Sequence, residues 1–148
     1  MNLSPHFTLD ELTCSQNAAR AGLDNTPSFS TLENLKRLAD VLEEVRAICK
    51  GNEVTVTSGY RSPEVNTLCG GAKSSAHTSG LACDFIIPGF GSPKAICEAL
   101  EPHVGRLGID QLIWEFGSWV HLGLRPKGEE ARGQCCTIDQ GGFRLGFA

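Results

Sequence analysis

Ser75-Ala-His77-Thr-Ser-Gly80-Leu-Ala82-Cys-Asp84 is the stretch from which the rest of the chain is read. It runs into an alternating segment, with Leu81, Cys83, Phe85 and Ile87 facing one way and Ala82, Asp84 and Ile86 the other. That period of two predicts a strand with one fully apolar face. An acid within so apolar a strand requires a reason, because an unpaired buried carboxylate is costly. His77 stands at the mouth of the same strand, Gly80 gives the chain freedom to turn sharply between the two, and Ala82 leaves the face beside Asp84 uncluttered.

Working outward, Asp110–Glu115 and Trp119–Leu124 read as two strands of a hairpin around Phe116-Gly117-Ser118. His121 lies in the middle of the second, on the face of Trp119 and Gly123. If this strand neighbours the one carrying Asp84, then His77, Asp84 and His121 converge as two imidazoles and a carboxylate. Such a set, with an open fourth position, suits a catalytic zinc rather than a structural one. A lone strand histidine is more often a core residue, so the weight rests on the combination.

Upstream, Thr8-x-x-Glu11 forms a capping box and Ser15 caps a second helical turn that stops at Gly22. Ser30-x-x-Glu33 predicts the start of the main helix, whose stripe of Leu32, Leu35, Leu38, Leu42, Val45 and Ile48 is core and ends before Gly51. Val54–Thr57 alternates as a strand. Residues 58–80, rich in Gly, Ser, Pro and Asn, read as a long functional loop. Ser92-Pro93 opens a helix to about Leu100. The charged stretch 125–133 reads as a loop, and the last residues as a short strand.

The chain's 148 residues with 41% hydrophobic content are enough for one domain with a proper core, spanning 1–148. A net charge of −4 argues against nucleic acid as the partner. No apolar run approaches membrane-spanning length. The opening residues lack a basic n-region followed by an apolar stretch, so no secretory signal is expected and synthesis is assigned to a cytoplasm. Seven cysteines without a C-x-x-C spacing fit reduced thiols better than a zinc ribbon or a disulfide scaffold.

The ordered set Ser58-Gly-Tyr-Arg61-Ser-Pro, Asn66, S-x-H-x-x-G-x-A-x-D at 75–84 and Trp119-Val-His121 closely resembles the LAS metallopeptidases. That family holds the zinc D-Ala-D-Ala carboxypeptidases and the L-alanyl-D-glutamate peptidases, including phage endolysins. The likeness extends over nearly the whole chain, and its opening and the Asp-Asn-Thr-Pro turn look like the phage-type branch. The resemblance implies one zinc per chain on His77, Asp84 and His121. It also makes Arg61 the residue meeting a substrate carboxylate or carbonyl, and Ser75 a polar contact beside the metal. The bland alternative for Arg61 is a turn arginine paired with Glu64.

The general base is the open assignment. Many members carry an acid three residues before the last histidine ligand, where this chain has Ser118. The related hedgehog domain and the phage-type branch instead carry a Glu six residues before it, here Glu115. If residues 116–118 form a three-residue loop, Glu115 pairs with Trp119 and shares a face with His121. A two-residue turn would slip the register and aim Glu115 away. Asp110 is the fallback.

The expected architecture is therefore α+β, a small antiparallel sheet with helices packed on one side, hedgehog- or D-Ala-D-Ala-peptidase-like. The expected activity is zinc-dependent hydrolysis of peptide bonds in peptidoglycan, in the stem peptide or at a D-Ala-D-Ala terminus, by a monomer that needs no nucleic acid or membrane. Its expected place of action is the bacterial wall, as a phage lysis enzyme or virion component. The alternative is a non-catalytic, metal-stabilised binding module of hedgehog-like fold.

Overall fold

The computed structural model describes residues 1–148, apart from the side chain of Gln16. A short ribbon of β1 (Asn2–Ser4) and β2 (Phe7–Thr8) leads into α1 (Leu9–Thr13), where Thr8 and Glu11 close a reciprocal capping box. Ser15 caps α2 (Gln16–Ala21), which stops at the left-handed Gly22.

The main helix α3 (Phe29–Ile48) starts earlier than the Ser30-x-x-Glu33 spacing predicts. Ser28 is its N-cap, accepting from the Thr31 N–H at 3.3 Å, which leaves Ser30 inside the first turn. Leu35, Leu38, Leu42 and Val45 are fully buried, so the apolar stripe is core as its period required.

Strands β3 (Thr55–Ser58), β4 (Ala82–Ile86), β5 (Ile109–Glu115), β6 (Trp119–Leu124), β7 (Gln134–Asp139) and β8 (Gly142–Leu145) form one sheet in the order β3-β4-β6-β5-β7-β8. The fold is α+β, but this sheet is mixed rather than antiparallel throughout, because β7 runs parallel to β5. The cause is where β6 ends. Leu124 lies opposite Ile109 at the start of β5, and the Gly133 N–H donates to the Ile109 carbonyl at 3.2 Å. Residues 125–133 thus only pass round the beginning of β5, and the chain re-enters the sheet in β5's direction.

Two helices, α3 and α5 (Pro93–Leu100), pack on the face formed by Cys83, Phe85, Leu112, Val120 and Leu122, all fully buried. Alternation puts Asp84, Ile113, Glu115 and His121 on the other face. The segment 58–80 is more ordered than the loop its composition suggests. It holds α4 (Pro63–Leu68), capped by Ser62 with Pro63 at the first position, and a 3-10 turn at Ala76–Ser79. The same Ser-Pro signal that marks α5 was present, but a helix of six residues is too short for its periodicity to be read. A further short helix, α6 (Val104–Leu107), precedes β5.

Gly80 ends the 3-10 turn with φ +72°, and a Cβ there would lie 2.9 Å from both Cγ2 and the carbonyl oxygen of Thr31. Gly80→Ala is expected to destabilise the protein by roughly 2–4 kcal/mol, combining the left-handed backbone with a backbone clash. Urea unfolding monitored by circular dichroism measures it, and a loss below about 0.5 kcal/mol would contradict this account.

Candidate active site

Asp84 and His121 are directly opposed in the antiparallel β4–β6 pair. Their side chains meet on the face away from the helices, with His121 Nδ1 2.9 Å from Asp84 Oδ1. The 3-10 turn before β4 brings in the third group, with His77 Nε2 3.4 Å from the same oxygen. This turn is braced by backbone and side chain alike. Ser75 Oγ accepts from the His77 N–H at 3.3 Å, and the Arg61 N–H donates to the His77 carbonyl at 3.1 Å. The Gly59 carbonyl lies 2.8 Å from His77 Nδ1 and accepts the ring proton there, so Nε2 is the ring atom that faces Asp84.

One donor atom from each of the three residues lies within 4.8 Å of the others. Tetrahedral zinc with bonds of 2.0–2.1 Å spaces its ligands about 3.3 Å apart. The separations of 3.4 and 2.9 Å to Asp84 straddle that value, so the set of two imidazoles and one carboxylate fits zinc without rearrangement of the strands. Ligands must be deprotonated to bind. Burial raises the Asp84 pKa, but the hydrogen bonds and charge of the two imidazoles outweigh it and hold the carboxyl below the usual carboxylate range.

Arg61 faces this cluster rather than Glu64. Its Nη2 is 3.6 Å from Asp84 Oδ2, while Ser58 Oγ accepts from Nε at 3.0 Å and Asn66 Oδ1 from Nη1 at 3.4 Å. The hairpin adopts the three-residue connection, with Glu115 paired to Trp119. Phe116 and Gly117 take positive φ values, and the Phe116 N–H donates to the Ile138 carbonyl at 2.8 Å. Glu115 consequently shares the cleft face, with Oε1 3.8 Å from His121 Nδ1. Burial pushes its pKa up, the nearby imidazole of His121 partly opposes this, and Asp84 adds to the rise. The buried Trp119 indole N–H leans toward Glu115 but closes no hydrogen bond, so it does little to favour the charged form.

Asp110 does not join the cluster. Arg132 grips both of its oxygens and Arg125 Nε approaches at 3.2 Å, which together lower its pKa to about 2. A carboxylate so occupied is a poor proton acceptor. Ser118 is exposed at the hairpin tip. His6 pairs with Glu43 at the surface and His103 lies beside Arg106, both away from the cleft. All seven cysteines are free, and Cys83 points into the core opposite Asp84.

The cleft extends to both sides of the cluster. A cavity of about 680 Å³ is walled by Arg61, Asp84 and Trp119. Another of about 490 Å³ is walled by Glu115, His121 and Asp110. Two supports escaped the sequence reading. The Gly59 carbonyl orients His77, and Asn25 ties the N-terminal segment to the Arg61 turn through Ser62 N–H, Tyr60 O and Thr13 O. A main-chain acceptor leaves no trace in residue type. Asn25 left only its place in the Asp-Asn-Thr-Pro turn.

Zinc added to metal-free protein is expected to bind at one ion per chain. Asp84→Asn or His121→Ala should weaken it by more than the ten- to hundredfold that loss of a mere supporting partner costs. Competition with a chromophoric chelator measures this, and unchanged affinity in either variant would place the metal elsewhere.

A comparison with curated proteins finds no match. The family model described as Peptidase M15 does match, over residues 5–123, and this span contains His77, Asp84, His121, Arg61 and Glu115. With four-fifths of its length matched and a histidine–aspartate–histidine cluster of zinc-binding geometry in its cleft, the chain belongs to the Peptidase M15 family of zinc-dependent metallopeptidases.

Proposed function

We propose that this protein hydrolyses peptide bonds in bacterial peptidoglycan, with His77, Asp84 and His121 holding zinc, Glu115 as general base and Arg61 orienting the substrate. The observation that carries the catalytic reading is the position of Glu115, on the face of the metal cluster and 3.8 Å from His121. Zinc, when bound, supplies Lewis acidity, polarising a scissile carbonyl and lowering the pKa of water. The Glu115 carboxylate takes the proton of the attacking water and returns it to the leaving amine nitrogen. Burial makes Glu115 a stronger base than an exposed glutamate and moves its pKa toward the working pH. Arg61 suits a substrate carbonyl or carboxylate because its planar fork is already aimed by Ser58 and Asn66 and stays charged. Ser75 acts through His77, whose turn it caps.

Peptidoglycan as substrate is supported by the residue pattern from Ser58 to His121, which resembles the wall peptidases and their phage-type branch. The continuation of the cleft on both sides of the metal cluster favours cleavage of an internal stem or bridge bond over removal of a terminal residue. On this reading the protein is made in an infected cytoplasm and acts on the wall, in lysis or as a virion component.

Zinc-loaded protein incubated with purified cell walls should release fragments whose masses name the bond. Chelation should stop the release and added zinc restore it. Glu115→Gln should lower kcat by roughly 10²- to 10⁴-fold while retaining one zinc per chain. Undiminished hydrolysis in that variant removes Glu115 from the base role. A wild-type protein that digests no wall under any metal condition belongs with the binding modules instead. Because the Glu115 pKa is raised, activity should be full above that pKa and fall as pH drops through it. A kcat/KM profile lacking an acidic limb above the ordinary glutamate range would contradict this.

A further inference from the structure

We infer that the tip of the β5–β6 hairpin and the turn from β7 to β8 form a sugar subsite. It seats an uncharged, N-acetylated pyranose ring of the glycan strand while the attached stem peptide lies in the cleft. The inference rests on the peptidoglycan reading above and concerns a hollow of about 500 Å³ walled by Trp114, Phe116, Gly117, Asp139, Gln140 and Gly141. Trp114 places this hollow on the sheet face opposite Glu115 and the metal cluster.

Phe116 is the residue that first points to a ligand. Its φ of +51° lies in the left-handed region, where a bulky side chain is an outlier and Gly or Asn the ordinary choice. The residue also stays 49% exposed, so burial of a core does not account for a phenyl ring at this place. Its ring packs on Trp119, with centroids 5.6 Å apart, and Trp119 in turn walls the 680 Å³ cavity beside Arg61 and Asp84. Hollow and cleft therefore meet at the hairpin tip, and a chain carrying both sugar and peptide can pass round it. Behind the hollow, Trp114 is fixed by packing on the core and by Lys94, whose Nζ stands 5.7 Å from the ring centroid.

The charge of the hollow suits a neutral ligand. Asp139 is the one ionisable residue in its wall, and Arg144 cancels it, donating Nη1 to Oδ1 at 2.9 Å and Nη2 to Oδ2 at 2.7 Å. The Gly141 N–H adds a bond to Oδ1 at 2.8 Å. A peptide carboxylate or ammonium finds no free counter-charge in this wall, whereas a pyranose needs none. Its apolar C–H faces match the two aromatic rings, and its hydroxyl and amide groups match the turn. Asp139 Oδ2 accepts from Arg144 alone and keeps a lone pair for a hydroxyl. The exposed Gln140 amide makes no hydrogen bond among the described residues and offers both a donor and an acceptor. Asp139, Gln140 and Gly141 lie beyond residue 123, where the family match ends, so one side of the subsite comes from the chain's own C-terminal portion.

The test uses full-length, zinc-loaded protein and one stem peptide in two forms, its amino end capped by an acetyl group or amide-linked to the N-acetylated disaccharide. Wild type should cleave the sugar-linked form roughly tenfold better in kcat/KM, chiefly through KM, the size of one or two aromatic contacts. Phe116→Asn/Gln140→Ala, in which Asn still accepts the left-handed backbone, should bring that ratio close to one. Phe29→Ala, which removes an exposed ring elsewhere, keeps it. A wild-type ratio near one, or an undiminished ratio in the double variant, overturns the subsite. If the double variant loses its fold, Gln140→Ala must lower the ratio at least twofold, and an unchanged ratio is again fatal. A dimer in sedimentation that the double variant dissolves would give the hollow to a second copy of the chain and also overturns it. If wild type cleaves neither form, the peptidase reading fails, and calorimetry with chitotriose decides the subsite. Millimolar or tighter binding that the double variant loses keeps it, and no binding removes it.

Discussion

The pairing of β4 with β6 is the constraint on which everything else in this molecule depends. It sets Asp84 opposite His121 on one face, and Cys83 opposite Leu122 and Phe85 opposite Val120 on the other. Because side chains alternate strictly, a slip of one residue would send the carboxylate into the helices and a pair of core residues into the cleft. Metal cluster and hydrophobic core are thus two consequences of one register. The core enforces it, since Phe85, Leu122 and Val120 are fully buried under α3 and α5.

That register also explains how an ionised aspartate survives in so apolar a strand. Burial alone would neutralise it, but two imidazoles and the Arg61 guanidinium surround it. Each arrives from a different piece of backbone. His77 comes from the capped turn before β4, His121 from the neighbouring strand and Arg61 from the turn after β3. The Gly59 carbonyl and the Asn25 side chain lock these pieces to one another, so the donors are fixed by main-chain hydrogen bonding rather than by side-chain packing alone.

The strands beyond the family match have consequences at the site as well. The Ile138 carbonyl accepts from Phe116 N–H at 2.8 Å and so holds the left-handed start of the hairpin loop. That loop is what pairs Glu115 with Trp119 and turns the carboxylate toward the cluster. At the opposite end of β5, the connection into β7 walls the cleft with arginines anchored on Asp110. The added strand therefore bears on the proposed base and on the wall beside it.

Whereas the convergence of His77, Asp84 and His121 needed β4 and β6 to be neighbours, residue type and spacing by themselves determined the strand of Asp84, the core stripe of α3 and the capped starts of α1, α2 and α5. These are local patterns, governed by period, capping chemistry and the cost of a buried acid. Spacing could only pose the question of Glu115, since a two- and a three-residue turn fit the same letters, and the structure chose by a hydrogen bond from β7, more than twenty residues away. It likewise took Asp110 out of contention, made the sheet mixed and built the arginine wall. All three follow from where the chain goes after Leu124, a long-range return that no local period encodes.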